Sequence, residues 1–544
     1  MQPRRRVSWS ILVLATATAG GCNLIFGVQE GHGAGGGGST SSTGSAGPST
    51  SSTVSSASSS GAAAFAVSPS SVTLLAQSTF AFSTTGATSP VSWALADSSA
   101  GSLDQEGIYV APLATGTFML TATSGAATAT ATITVRQTAV PAVLVPMGAL
   151  PTATGHGSQT HLVYATGTGE WWLFHDPAAG GVLATSFSKD FVSWTPGEQV
   201  ALPVAPAVDG SDLSVAYRSL GGHDVVHISQ GYRTPTLLGR YHLRASLTAG
   251  HAAFGAPQNI NSETVGDGFG AAPDGTATLI LPSGLVIDTT GFVATQSLSP
   301  PGSLSANCGG GDADVYTSDV MDTGATSFDA VKFGPQVLWC VPGTINARQL
   351  LALGSTAILL YVDGGSAPGG GANLFMSTSQ NIGNWSPAEP SSGPSVIPPR
   401  VFPDSPAKSF GFNDWTAALH NGSVHAVRRL SDDTFEHRIA GSALAWGPGG
   451  AIPTQPTLQT SGLFLTPYGN GLVLVALGSN GGSQILYTAY NASKVVWSSW
   501  QTLTLDSAVR TYLAGFAPEG TVKPALLWTQ QAGTGYAIGG LLLP

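Results

Sequence analysis

THLVYATGTGEWWLFHD (residues 160–176), followed by GVLATSFSKDFVSWTPGEQV (181–200), holds a short apolar run, a Gly/Thr turn and a second apolar run. A loop, a third run and an approach ending at Trp194 come next. Apolar runs this short, bounded by Gly, Thr and Asp, read as strands rather than helices. The unit recurs at residues 348–365 with 371–390 (RQLLALGSTAILLYVDGG, GANLFMSTSQNIGNWSPAEP) and at 415–430 with 433–452 (WTAALHNGSVHAVRRL, DTFEHRIAGSALAWGPGGAI). It recurs again at 462–479 with 483–503 (GLFLTPYGNGLVLVALGS, SQILYTAYNASKVVWSSWQTL). Trp194, Trp385, Trp446 and Trp500 fall at equivalent ends. Four strands in roughly 45–60 residues is the spacing of propeller blades rather than solenoid turns. Residues 211–261 and 268–341 supply weaker or longer units, and 511–543 supply three closing strands. Ala142-Val143-Leu144-Val145 is placed to complete that last blade, which would remove the exposed sheet edges. Residues 139–544 are therefore predicted to form a β-propeller of about seven blades, with six or eight fitting nearly as well.

Composition agrees with an all-β chain. Among 544 residues there are 71 Gly and 35 Pro, and only 9% are charged. Gly and Pro disfavour helix interiors by roughly 1 and 3 kcal/mol, so short strands and tight turns are the expectation. The net charge is −10, and losing Arg4, Arg5 and Arg6 with an N-terminal signal would make it more negative. Nucleic acid and anionic lipid headgroups are disfavoured as partners, because both are bound through clustered Lys and Arg. Arg428-Arg429 is the only adjacent basic pair after the signal and reads as a solvated strand edge.

The N-terminus supplies an address. Three arginines, an apolar segment over residues 7–18 and the small residues Ala19-Gly20-Gly21 precede Cys22, which is the layout of a secretory signal. The segment is too short to span a hydrocarbon core of about 30 Å. Ala19-Gly20-Gly21-Cys22 resembles the lipobox of bacterial lipoproteins, with Ala19 where most carry Leu or Val. The resemblance implies cleavage before Cys22 (residues 1–22) and lipidation of its thiol. That places the protein in the cell envelope, lipid-anchored at the outer membrane or cell surface, with the membrane as a partner through its lipid. Residues 23–64 are rich in Gly, Ser and Thr without apolar periodicity, and read as a flexible tether. With Cys22 lipidated, Cys308 and Cys340 remain as an even pair in an exported chain, which favours a disulfide.

Residues 65–136 alternate apolar and polar side chains between Gly, Ser, Asp and Pro turns, as in a β-sandwich. Pro69 before Ser71-Val72-Thr73-Leu74, the strand Val91-Ser92-Trp93, Gly101-x-Leu103 and Gly107-Ile108-Tyr109-Val110-Ala111-Pro112 resemble bacterial immunoglobulin-like (group 2-like) domains. Gly116-Thr117 and the strand over 129–135 extend the match. The resemblance implies a spacer or adhesive module without catalysis, with Trp93 in its core.

Several residues are candidates for chemistry. Ser188-Lys189-Asp190-Phe191-Val192-Ser193-Trp194 resembles the Ser-x-Asp-x-x-x-Trp turn of sialidase and glycosidase propellers, and Asn381 replaces the acid in the counterpart at 379–385. The resemblance implies a structural turn on the blade periphery. A glycosidase needs two converging carboxylates, and Glu170, Asp176, Asp209, Asp212, Asp224, Asp267 and Asp414 lie near turns or strand ends without a context that assigns roles. A sialidase would also need three converging arginines, for which Arg218, Arg233, Arg348 and Arg438 are available. No catalytic residue is assigned. Asp312 and Asp314, after Gly309-Gly310-Gly311, are weak candidates for Ca²⁺, with a solvated acidic turn preferred. The scattered histidines contain no HExxH, which disfavours a zinc hydrolase. Trp171, Trp172 and Trp497 are candidates for stacking on sugar rings, with packing between blades preferred. Recognition or adhesion, of carbohydrate or another envelope component, is the preferred function. A glycoside hydrolase and a non-catalytic protein-binding scaffold are the alternatives.

Overall fold

In the computed structural model the chain is all-β, with one 3-10 turn at Ser98–Ala100 among the described residues. The structure describes residues 64–149, 153–154, 160–177, 180–203 and, apart from connecting loops, 213–544. The signal segment, Cys22, the tether to residue 63, Cys308 and Asp312 lie outside the described residues.

Among the described residues, the strands from Ala142 onward make seven antiparallel sheets. The first holds Leu162–Ala165, Glu170–His175, Val182–Ser188 and Thr195–Ala201. The second starts at Leu213–Leu220, the third at Ala277–Ile280 and the fourth at Ile345–Leu353. The fifth holds Trp415–His420, Ser423–Arg429, Phe435–Ala440 and Trp446–Pro448. The sixth starts with Leu458–Tyr468, Gly471–Gly478 and Gln484–Asn491. The seventh joins both ends of the ring: Arg510–Phe516, Ala525–Ala532 and Gly535–Leu542 receive Ala142–Ala149 as a fourth strand, with Ala142 opposite Gly540. The first strand of each sheet adjoins the first strand of the next, and Arg510–Phe516 adjoins Leu162–Ala165, so the sheets close on themselves.

Closure explains the burial. Every residue of Glu170–His175 and of Gly471–Gly478 is buried, because a neighbouring sheet covers each face. Alternation survives only in destination. Trp172 and Phe174 pack with Val215, Val226 and Leu243 of the second sheet, whereas Trp171 and Leu173 pack with Phe516, Leu527 and Ile538 of the seventh. Successive side chains of a strand point to opposite faces, so one strand seals two seams.

The N-terminal strands form a four-stranded sheet, a three-stranded sheet and a two-stranded ribbon. Here one face is solvated, and Ala127–Arg136 shows the alternating burial that its Ala/Thr/Ile/Val pattern dictates. Tyr109 is fully buried and donates to the Ala100 carbonyl at 2.6 Å. Trp93, expected in the core, is half-buried at its margin, where a Cβ on Gly107 would stand 3.0 Å from the indole.

This unit is fixed to the sixth sheet rather than standing apart as a spacer. Leu75 N donates to the Tyr468 hydroxyl at 3.1 Å, Tyr487 donates to the Ala76 carbonyl at 3.2 Å, and Asn470 N donates to the Thr79 carbonyl at 2.9 Å. Leu74, Leu120 and Ile133 share one core with Tyr468, Val473 and Tyr487. Gly469 makes the approach feasible: its φ is +59°, and a Cβ there would stand 2.0 Å from the Thr79 carbonyl oxygen.

The turn after Val182–Ser188 is built around Asp190. Its carboxylate accepts from Val192 N at 2.8 Å, Ser193 N at 2.7 Å, Ser188 Oγ at 3.0 Å and Ser193 Oγ at 3.1 Å. The Ser193 and Val192 amides, foremost, hold its carboxyl at about 2. Phe191, at φ +64°, is buried edge-on against Trp171 and Trp194. Asp190→Ala is expected to lower unfolding free energy by about 1–2 kcal/mol, at the low end because the turn is solvated. The contribution of the ionised form is present above the ordinary carboxylate value of 3.8 and is lost as pH falls through about 2. Urea denaturation of both proteins across that range measures it.

Candidate functional site

Each first strand begins at the end opposite its turn into the second strand, and neighbouring sheets are hydrogen-bonded to one another. Thr160 and Ser214 meet at the first seam, where Val215 N donates to the Thr160 carbonyl at 2.8 Å. Gln349 brackets Ala417, accepting from its N–H at 3.1 Å and donating to its carbonyl at 2.9 Å. Leu465 N donates to Thr416 Oγ1 at 3.2 Å, and Thr154 N to Thr529 Oγ1 at 3.1 Å. The opposite end carries the turns between first and second strands, including Gly469–Asn470, where the N-terminal unit sits.

The strand-start end is a belt of buried polar side chains. By strand parity Glu170, Trp172, Phe174 and Asp176 face the second sheet. Asp176, 1% exposed, accepts from Gln230 Nε2 at 3.2 Å, and Glu170, at the turn end, accepts from Gly250 N at 2.9 Å. His175 faces the seventh sheet, and burial pushes it down to about 4, so it is neutral at pH 7. In the fifth sheet, Arg428 pairs with Glu436 at 2.5 Å and stacks 4.2 Å above the Phe402 ring. Arg429 pairs with Asp433 and donates to the Leu458 carbonyl at 3.1 Å across the next seam. Arg510 donates to the Gly482 and Ser483 carbonyls at 3.2 Å and lies 4.9 Å over Trp528. The ring thus hydrogen-bonds its sheets to one another beneath the rim, with charge held in place by acids, carbonyls and aromatic faces.

Trp171, Trp172 and Trp497 are 3%, 0% and 7% exposed and each fills a seam between sheets, the packing preferred for them from sequence, so none presents a ring face to a sugar. Arg428-Arg429 is a buried pair rather than a solvated edge, because its two side chains enter adjacent seams. Asp224 closes the turn of the first sheet, accepting from Gly167 N at 3.0 Å, Thr168 N at 3.1 Å and the Tyr217 hydroxyl at 2.6 Å. Burial, with Asp224 next, pushes Tyr217 up to about 12. Asp414 is buried at the strand-start end of the fifth sheet. Asp209, Asp212 and Asp267 lie outside the described residues, as do the side chains of Arg218, Arg233 and Arg348. Arg438 is half-buried on the third strand of the fifth sheet. Cys340 and Asp314 lie on paired strands, Val337–Pro342 and Ala313–Asp322; their side chains are outside the described residues. Among the described residues no three His, Cys, Asp or Glu side chains are grouped to hold a metal ion. Gln230, Gln349 and Arg510 escaped sequence reasoning, since a lone polar residue at a strand end carries no spacing signal.

No known protein family matches the chain, and no curated protein does. Solved structures give distant likenesses. A Trypanosoma rangeli sialidase in complex with sialic acid is 10% identical over 70% of this chain and 53% of its own, with a TM-score of 0.32. An α-L-arabinofuranosidase from Fusarium graminearum is 12% identical over 61% of this chain and 92% of its own (TM-score 0.36). A Dyadobacter fermentans protein of unknown function is 13% identical over 74% and 98% (TM-score 0.37). The chain spans about half the length of the sialidase. At these TM-scores the likenesses carry no argument about this chain's fold or activity.

Proposed function

We propose that this is an envelope lipoprotein, anchored through Cys22, that presents a seven-bladed propeller for recognition of carbohydrate or another envelope component. In this reading residues 23–64 are the tether, 65–136 an immunoglobulin-like unit and 139–544 the propeller, with Cys308 and Cys340 joined in a disulfide. One observation carries it. The N-terminal unit, through which the anchored segment joins, is bonded to the turn end of the sixth sheet at Tyr468, Asn470 and Tyr487. In this reading the strand-start end, which lies opposite the docked unit, is the face left to meet a ligand, and the buried polar belt beneath it holds that face rigid.

A glycoside hydrolase is the second reading; the Ser188–Asp190–Trp194 turn, which resembles a peripheral turn of sialidase and glycosidase propellers, bears on architecture rather than on hydrolysis. Incubating the purified full chain with envelope glycans separates the two. Recognition is expected to retain the glycans unchanged, and release of a new reducing end would establish hydrolysis instead. For the anchor, Cys22→Ser is expected to move the protein from the membrane to the soluble fraction and to remove acyl mass from the mature N-terminus. Unchanged retention would refute lipidation.

A further inference from the structure

Three histidines are buried along the seam between the fifth and sixth sheets: His420 at the end of Trp415–His420, His425 on Ser423–Arg429 and His437 on Phe435–Ala440. Their hydrogen bonds assign their protons. His437 Nδ1 lies 3.1 Å from Gly450 N and 3.2 Å from Trp497 Nε1. Both partners carry hydrogens and only donate, so Nδ1 is the bare acceptor and the ring proton sits on Nε2. Nε2 lies 3.1 Å from His425 Nδ1. His437 therefore donates there, and His425 holds its own proton on Nε2. A proton added at Nδ1 of His437 would point at two N–H donors, and one added at Nδ1 of His425 would point at a third.

The surroundings offer no compensation. The titratable groups facing the pair are His420, edge-on to His425 at 5.9 Å, and Tyr490 of the sixth sheet, 5.7 and 5.0 Å from the two rings. Among the described residues no carboxylate contributes to the electrostatics of either ring. Burial, followed by His437 and His420, holds His425 at about 3, and burial holds His437 and His420 at about 4. His420 also bonds the backbone of Asn470, the residue whose N–H is bonded to the Thr79 carbonyl of the N-terminal unit.

We propose that this row is an acid-triggered latch: proton uptake by His425 or His437 opens the seam between the fifth and sixth sheets and, through His420 and Asn470, loosens the N-terminal unit. The sign follows from the unfolded chain binding more protons below the ordinary histidine value of 6.5. The stability held by these rings is fully present above pH 6.5 and drains as pH falls toward 4.

The test uses the full chain labelled with ¹⁵N-histidine, together with hydrogen exchange corrected for intrinsic rates. At pH 7, His425 and His437 are expected as neutral Nε2–H tautomers. Between pH 6.5 and 4.5, protection of residues 71–81 and 484–491 is expected to fall roughly tenfold or more, as one unit of pKa displacement requires, while residues 170–175 keep theirs. In His437→Gln, which keeps an amide oxygen for Gly450 and Trp497 but does not titrate, that acid loss is expected to shrink. Either ring titrating near 6.5 with the seam still protected, or an equal loss in every sheet, would overturn the latch. Both are read on the unaltered protein, so the outcome stands even where the variant fails to fold.

Discussion

Trp172→Ala is expected to lower unfolding free energy by about 3–5 kcal/mol, the range for truncating a buried aromatic side chain. The ring is wholly buried, lies 5.1 Å from Phe187 at 31°, and fills the seam against Val215, Val226 and Leu243. Its alanine variant leaves a cavity between two sheets that are pinned by their neighbours and cannot collapse freely. Trp172→Phe is expected to cost far less. The indole N–H has no hydrogen-bond partner among the described residues, so its loss removes an uncompensated polar group. Guanidinium denaturation followed by circular dichroism measures both. Glycan retention lost in a variant of unaltered stability would return the ring to a ligand face.

Arg510→Ala is the second large effect, again about 3–5 kcal/mol, from a cavity plus two carbonyls deprived of a charged donor. Arg510 is 1% exposed, and its guanidinium holds the Gly482 and Ser483 carbonyls of the sixth sheet while stacking on Trp528 of the seventh. Arg510→Lys is expected to recover only part of the loss, because an ammonium lacks the planar fork that meets two carbonyls and a ring face together. The same denaturation experiment decides it. A midpoint unchanged in Arg510→Ala would show that the sixth and seventh sheets are joined by apolar packing alone.

Architecture was legible because it is local. Gly/Asn turns between apolar runs mark the hairpins, and the strand after Ala142 could be matched to the last blade from its apolar pattern and the need to close the ring. Destination was not legible. In Glu170–His175 every residue is buried, so period two could not say that Trp171 and Trp172 enter different seams and that neither meets solvent. Arg428 and Arg429 look like a surface pair for the same reason. Their partners Phe402 and Leu458 lie in the flanking segments, which only packing of sheet on sheet brings beside them. The docking of the N-terminal unit rests on Leu75 meeting Tyr468, 393 residues apart, and on glycines whose purpose is visible only once Thr79 is beside them.

The orientation of the ring is the centre of the account, and hydrogen exchange on the full chain with and without soluble envelope glycan tests it. New protection is expected at the strand-start end, at residues 160–162, 175–177, 414–416 and 428–430, with the glycan recovered intact. Protection confined to residues 66–136 or to the turns at 166–169 and 469–471, or glycan recovered cleaved, would contradict it.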